Sequence, residues 1–326
     1  MRDNDTPMEL VKNTFWSVFF PRGQIHNCQH IVVGTPISLM DLYADLEKDP
    51  QWFTVKKQAV ITDEAGRWVK PLWSERFSLE SLAKIRDGMT DFNFQREFQC
   101  NPIATGDSLF PQDMLLEALD DDLDYNYTAQ GITTIGNDYA MSTAVTGDYN
   151  VFTVVDNQMG KTHTKNVNGK KVLVENPVII KRILRFRGNT GQIESMKSLE
   201  NYYPNSRIIA DESGVGAKFV QELRENSFSV DAQNFAPANR NMLLMNLRRL
   251  LEQGRLVIPN KGESVPITDR LIKELSGFSS TTTKSGSESW QSNLDHDDLP
   301  ISLALAVKGI GSPRKLLTKI FYGAKT

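Results

Sequence analysis

The chain has 326 residues and a formal net charge of −3 at pH 7, which leaves room for about two domains and excludes a chain-wide positive field, so nucleic-acid contacts would need local patches. Its two cysteines, Cys28 and Cys100, are far apart and lack a CxxC partner, which argues against a zinc site or disulfide framework and fits a reducing compartment. No apolar run reaches the roughly 18 residues needed to span a bilayer, and the polar opening MRDNDTPMELVKN is unlike a signal peptide, so a cytoplasmic protein is expected.

In chain order, HIVVGTPIS reads as a compact buried strand closed by Gly34, Thr35 and Pro36. LMDLYADLEKD then places Leu39, Leu42, Tyr43 and Leu46 on one helical face, and QWFTVKKQAVI alternates as a strand does. SLESLAKIRDGMTDFNFQREFQCNP is helical, with a break near Gly88. The acidic, turn-rich EALDDDLDYNYTAQG predicts a linker over 106–130, between a first unit at 1–105 and a second at 131–326.

The second unit opens with GITTIGND and NVFTVVD as strands separated by a loop, followed by a hairpin turning at Asn168 and Gly169. A helix at GQIESMKSLENYY follows, and SRIIADESGVGAKFVQELRE passes from strand directly into helix. Three antiparallel-looking strands, then helix, strand and helix, resemble a ribonuclease H-like core. The expected class is therefore α/β, a mixed sheet flanked by helices.

Acids fall at the ends of these elements. Asp138 closes one strand, Asp211 closes another, and SNLDHDDLPISLALAVKG gathers Asp295, His296, Asp297 and Asp298 at the mouth of an apolar helix. Read singly, Asp138 fits a turn residue, Asp211 a cap, and the triple aspartate a capping cluster that suits the positive end of the helix dipole. Read together, they fit a phosphodiester-cleaving site, because acids from different elements can hold two divalent ions about 4 Å apart and hard cations prefer oxygen ligands. Asp148 is a possible auxiliary ligand or a plain turn residue.

With IVVGTP, FQREFQCNP, GNDYAMSTAVTGDYNVFTVVD, IIADESGVGAKFVQEL, LEQGRLVIP, IKELSGF and HDDLPISLALA in this order, the chain resembles the large terminase subunit of tailed bacteriophages. That family joins an ATPase motor to a ribonuclease H-like nuclease that cuts concatemeric phage DNA. The resemblance implies that Asp138, Asp211 and Asp298 form a catalytic, metal-binding triad for Mg²⁺ or Mn²⁺, with Asp297 and Asp148 as further acids and His296 as a near-site helper or a solvated helix-start residue. It also makes 1–105 the closing part of a P-loop-type ATPase domain, with Thr35 as a coupling residue. The implied partners are double-stranded DNA, the portal protein and the small terminase subunit, in the cytoplasm of an infected host.

The resemblance is incomplete at the front. Neither GxxxxGK[ST] nor an apolar strand ending in Asp-Glu is found, and the one GKT, Gly160 to Thr162, has Val155 where the first glycine belongs and precedes a hairpin instead of a helix. ATP hydrolysis is therefore not expected of this chain alone, and a separate ATPase-bearing chain is a candidate partner. Lys161, Lys165, Lys170 and Lys171 beside the hairpin are expected either to neutralise DNA phosphates or to be ordinary solvated lysines. A non-catalytic packaging adaptor is the alternative to the nuclease, and another ribonuclease H-fold enzyme, such as a resolvase or transposase, is a weaker third.

Overall fold

The computed structural model describes residues 7–25, 28–36, 41–63, 67–101, 108–140, 149–188, 191–282, 288–294 and 296–311. Helix α1 (Pro7–Thr14) continues through a π-helical turn into α2 (Phe20–Ile25), followed by α3 (Leu42–Lys48), β1 (Val60–Thr62), β2 (Trp68–Pro71), α4 (Leu79–Asp87) and α5 (Asp91–Gln99). Then come α6 (Gln112–Glu117), β3 (Leu119–Asp120), β4 (Ile132–Asp138), β5 (Asn150–Asn157), β6 (Thr162–Val167), β7 (Lys170–Glu175), β8 (Val178–Phe186), α7 (Gln192–Tyr202) and β9 (Arg207–Asp211). The chain continues with α8 (Gly216–Glu225), β10 (Val230–Gln233), α9 (Pro237–Glu252), β11 (Leu256–Pro259), α10 (Val265–Ser276), β12 (Phe278–Thr282), β13 (Glu288–Ser292) and α11 (Asp298–Ala306).

The main sheet has seven strands in the order β10-β9-β4-β5-β8-β11-β3. β5 runs antiparallel to both β4 and β8, whereas β9 pairs parallel with β4, and β10 parallel with β9. Taken in chain order, β4, β5, β8, β9 and β10 thus occupy the positions 3-2-1-4-5 of a ribonuclease H-like sheet, as expected. The alternation within β5 explains why both faces are covered. Val151 and Val155 pack with α9, α10 and α11, while Phe152 and Val154 pack with Ile193, Met196, Phe219 and Leu223 of α7 and α8.

Within the stretch 106–130, expected to be a linker, the described residues 108–130 help to build this core. Leu109, Phe110 and Leu115 are fully buried in the larger cluster, and β3 forms the edge of the sheet. Its acidic composition masked a few apolar anchors, which is all a short covering segment needs. Asp120, for instance, is buried because it accepts the Asn166 N–H and lies 2.7 Å from His163 of the hairpin.

The front of the chain departs further from expectation. The stretch 30–38, expected to form a buried strand, makes no strand pairing over its described residues 30–36, and Ile31 and Val33 are 77% and 88% exposed. A strand of this apolar type gains its stability from neighbours on both sides, and none lies beside it among the described residues. What does fold here is a small separate core in which Val60, Leu82 and Phe94 pack with Trp68 and Phe98, under a two-stranded antiparallel sheet of β1 and β2. Glu252 of α9 accepts the Asp91 N–H at the start of α5, a carboxylate on the positive end of a helix.

Candidate active site

Strand geometry places the first two acids side by side. Asn137 pairs with Ala210 across the parallel β4 and β9 ladder, so Asp138 and Asp211, each the next residue, end neighbouring strands that lie roughly 4.8 Å apart. Both are half-buried. Burial holds the Asp211 carboxyl above its ordinary pKa, only partly offset by hydrogen bonds from Ser213, whose N–H donates at 2.7 Å. The segment after Asp138 is held by Asn150, whose amide donates to the Ala140 and Gly188 carbonyls at 2.7 Å each. Tyr139 is fixed by stacking on Phe219.

The third acid comes from α11, all of whose residues are buried. This helix lies against β4 because Gly136 has no side chain: a Cβ there would stand 2.1 Å from the Ser302 carbonyl oxygen and 2.4 Å from the Ala306 nitrogen. The Ser302 hydroxyl lies within 3.0 Å of the Gly136 carbonyl and 2.9 Å of Thr153 Oγ1, so it locks helix to sheet. Asp298, first residue of the helix and 4% exposed, accepts the Tyr149 N–H at 3.3 Å and lies 3.7 Å from His296 Nδ1. Asp297 turns the other way and is ion-paired with Arg240 of α9.

The crowd of acids at this helix mouth therefore does not act as a simple cap, since Asp297 at the cap position makes no side-chain capping bond. Glu274 of α10 does that work by accepting the Leu299 N–H at 3.1 Å, and Arg270 Nε bonds its other oxygen at 3.1 Å. Burial raises the Glu274 pKa, while the Leu299 N–H and Arg270 pull it back.

Among the described residues, no three His, Cys, Asp or Glu side chains are close enough to hold a metal ion. The donor set nevertheless fits one: half-buried and buried carboxylate oxygens without cysteine match Mg²⁺ or Mn²⁺, and the half-buried Asp211 carboxyl is the kind of group a cation would stabilise. Asp148 and Asp295 lie outside the described residues. Thr35 lies in the exposed front segment, in another part of the fold.

The lysines expected to meet DNA are placed differently. β5 leaves the acidic end of the sheet, where Val151 pairs with Asp138, and ends at Asn157 beside Ile132, roughly 20 Å away at 3.4 Å per residue. The β6 and β7 hairpin hangs from that far end. Lys165 is 4% exposed and bonded to the Glu117 carbonyl, Lys161 donates to the Gln130 carbonyl, and Lys171 pairs with Asp122. Lys170 is exposed.

Sequence reasoning missed a set of cations at the acidic end itself. β8 returns there, with Arg185 paired to Val151, and its Arg185 and Arg187 guanidinium carbons lie 3.2 Å and 4.2 Å from the centroid of the Tyr149 ring. Arg270 reaches the same ring at 5.7 Å, and His296 meets its edge. The signal was present in RILRFRG, because arginines two apart near a strand end share a face.

No protein-family model matches the chain. The large terminase subunits of Thermus phage G20c and Thermus virus P23-45 are each 27% identical to it over 264 residues, covering 74% of this chain and 45% of the relative. The chain thus spans about half the length of the curated relatives it matches. Among solved structures, the large terminase nuclease of thermophilic phage G20c with bound magnesium aligns at 25% identity and a TM-score of 0.48, over 63% of this chain and 98% of that one. The large terminase nuclease domain of Thermus phage P74-26 aligns at 24% identity and a TM-score of 0.44, over 61% and 93%.

Proposed function

Taking the chain as a relative of phage large terminase subunits, we propose that it is a metal-dependent endonuclease that cuts concatemeric double-stranded DNA during genome packaging. One observation carries this reading: Asp138 and Asp211 end adjacent parallel strands, and Asp298 is buried at the start of the helix that Gly136 lets lie against β4.

In this role Asp138, Asp211 and Asp298 would hold two divalent ions, which when bound activate water and neutralise charge on the scissile phosphate. Asp297, paired with Arg240, orients the helix mouth. Tyr149 fixes the Asp298 carboxylate through its N–H, and Glu274 holds the first turn of α11 in place. His296 lies against Asp298 and Tyr149 as a helper in positioning that carboxylate. Contacts to the DNA backbone position it without reading its sequence, so in this role the cut site is set by partners: the portal protein, the small terminase subunit and a separate ATPase-bearing chain. Action in the cytoplasm of the infected host is part of the same proposal, and no helix among the described residues is long and apolar enough to cross a membrane.

A non-catalytic packaging adaptor is the second reading, favoured by the lack of a ready ligand cluster among the described residues. The test incubates the purified chain with supercoiled plasmid in Mg²⁺, Mn²⁺ or EDTA, beside Asp211→Asn and Asp298→Asn. Nicking and linearisation that need metal and vanish in both variants support the nuclease. Intact plasmid in every metal, with variants that melt like the parent, supports the adaptor.

A further inference from the structure

Three guanidinium groups share one tyrosine ring beside Asp298, and two of them, Arg185 and Arg187, keep buried donors unpartnered among the described residues. The Arg185 side chain is only 9% exposed, yet among the described residues its Nε and one terminal nitrogen make no hydrogen bond; Glu274 is 3.9 Å away, and Asp298 is a second carboxylate near enough to act on it. Arg187 Nε is likewise buried without a hydrogen-bond partner among the described residues. Buried donors left unpaired are costly and infrequent in a folded protein. Charge compounds the cost, since Arg185, Arg187 and Arg270 gather around Tyr149 with Glu274 as the carboxylate that Arg270 bonds. Burial, and next the repulsion of Arg270, hold the Arg185 guanidinium below its usual pKa. An arrangement of this kind is completed by an anion.

The place of the cluster narrows the choice of anion. Tyr149, at the centre of the arginines, donates its N–H to Asp298, so the seat adjoins the acid that the proposed reaction uses. A cleft of about 420 Å³ opens next to it, bordered by the cations Arg270 and Lys273, by His296, and by the carboxylates of Asp269 and Glu274. Guanidinium forks match the paired oxygens of a phosphate, and a ring stacked on their planes holds them in that orientation. We propose that Arg185, Arg187 and Arg270, ordered on Tyr149, seat a backbone phosphate of the DNA strand being cut, next to the scissile one. This inference rests on the nuclease reading for its substrate and assigns the strand-positioning contacts to the β8 end of the sheet instead of the lysine hairpin.

The test measures binding of the full chain to a fluorescein-labelled duplex by anisotropy in EDTA over a range of NaCl concentrations, beside plasmid cleavage in Mn²⁺. Arg187 is the residue to change first, because it lies at the end of β8 and not within the core. Arg187→Ala weakens duplex binding about tenfold and lowers the slope of log affinity against log salt by about 1. Arg187→Lys restores the salt slope but not the full affinity, since a point charge replaces the fork. In cleavage the loss falls chiefly on KM. Lys170→Ala, at the other end of the sheet, binds as the parent does.

If Arg187→Ala and Arg270→Ala, both melting like the parent, bind duplex unchanged while Lys170→Ala loses affinity, the assignment is wrong. Displacement of the duplex by micromolar orthophosphate at constant ionic strength would also overturn it, in favour of a free-phosphate site. A parent chain that leaves plasmid intact but loses DNA binding on Arg187→Ala sinks the nuclease and keeps the seat. Plasmid cut equally well by parent and Arg187→Ala, with equal binding, sinks the seat and keeps the nuclease.

Discussion

The two ends of the central sheet carry positive charge in opposite ways. At the hairpin end three of the four lysines are bonded internally: Lys165 on the Glu117 carbonyl, Lys161 on the Gln130 carbonyl and Lys171 on Asp122 fasten β6 and β7 to the segment that covers the sheet edge. At the acidic end Arg185 and Arg187 keep buried donors without hydrogen-bond partners among the described residues, beside Asp298. Charge that has found a partner holds the fold together, and charge that has not is available to a ligand. A count of basic residues along the chain cannot make that distinction.

The largest effect that would sharpen this contrast is loss of the acids. Asp211→Asn and Asp298→Asn are each expected to lower metal-dependent plasmid cleavage by at least about 10³-fold, read from initial rates on gels, with melting temperature as the control for folding. Residual cleavage near the parental rate in Asp298→Asn would remove the helix from the site. Gly136→Ala comes next. Its methyl group would meet the α11 backbone, so a loss of about 1–3 kcal/mol in denaturant unfolding is expected, together with a large fall in cleavage as Asp298 moves away from β4.

A more moderate effect is expected from Glu274→Ala, which removes the acceptor of the Leu299 N–H and the partner of Arg270. It should destabilise the chain by about 1–3 kcal/mol and reduce cleavage by less than Asp298→Asn does. Smallest of all, Lys165→Met exchanges a buried lysine of the hairpin end for an apolar chain of similar length. Stability is expected to change by less than about 1.5 kcal/mol, and duplex affinity, measured by anisotropy, to stay as in the parent. A clear fall in affinity would erase the difference between the two ends.

Much of this was legible beforehand where one residue type has one local use. The hairpin turn at Asn168 and Gly169 was readable because both adopt positive φ, at 50° and 80°, which those residues tolerate. Asp138 and Asp211 were readable as strand-end acids because the apolar runs before them stop abruptly. The burial of 108–119 was not readable, because a few fully buried side chains such as Phe110 and Leu115 anchor a stretch whose composition is otherwise that of a loop. The front strand was misread for the converse reason. HIVVGTPIS has the composition of a buried strand, but burial is a property of neighbours, and Val33 has none to cover it among the described residues.

By itself the sequence determined the order of strands and helices from β4 to α8, the tight turns and the positions of the acids at element ends, since these depend on the periodicity and backbone preferences of a few consecutive residues. The tertiary structure decided which acids end adjacent strands, that Asp298 is buried while Asp297 pairs with Arg240, and which cations lie beside them. Those choices depend on strand direction and on how closely α11 approaches Gly136, and both are relations between segments as much as 170 residues apart that no local pattern encodes.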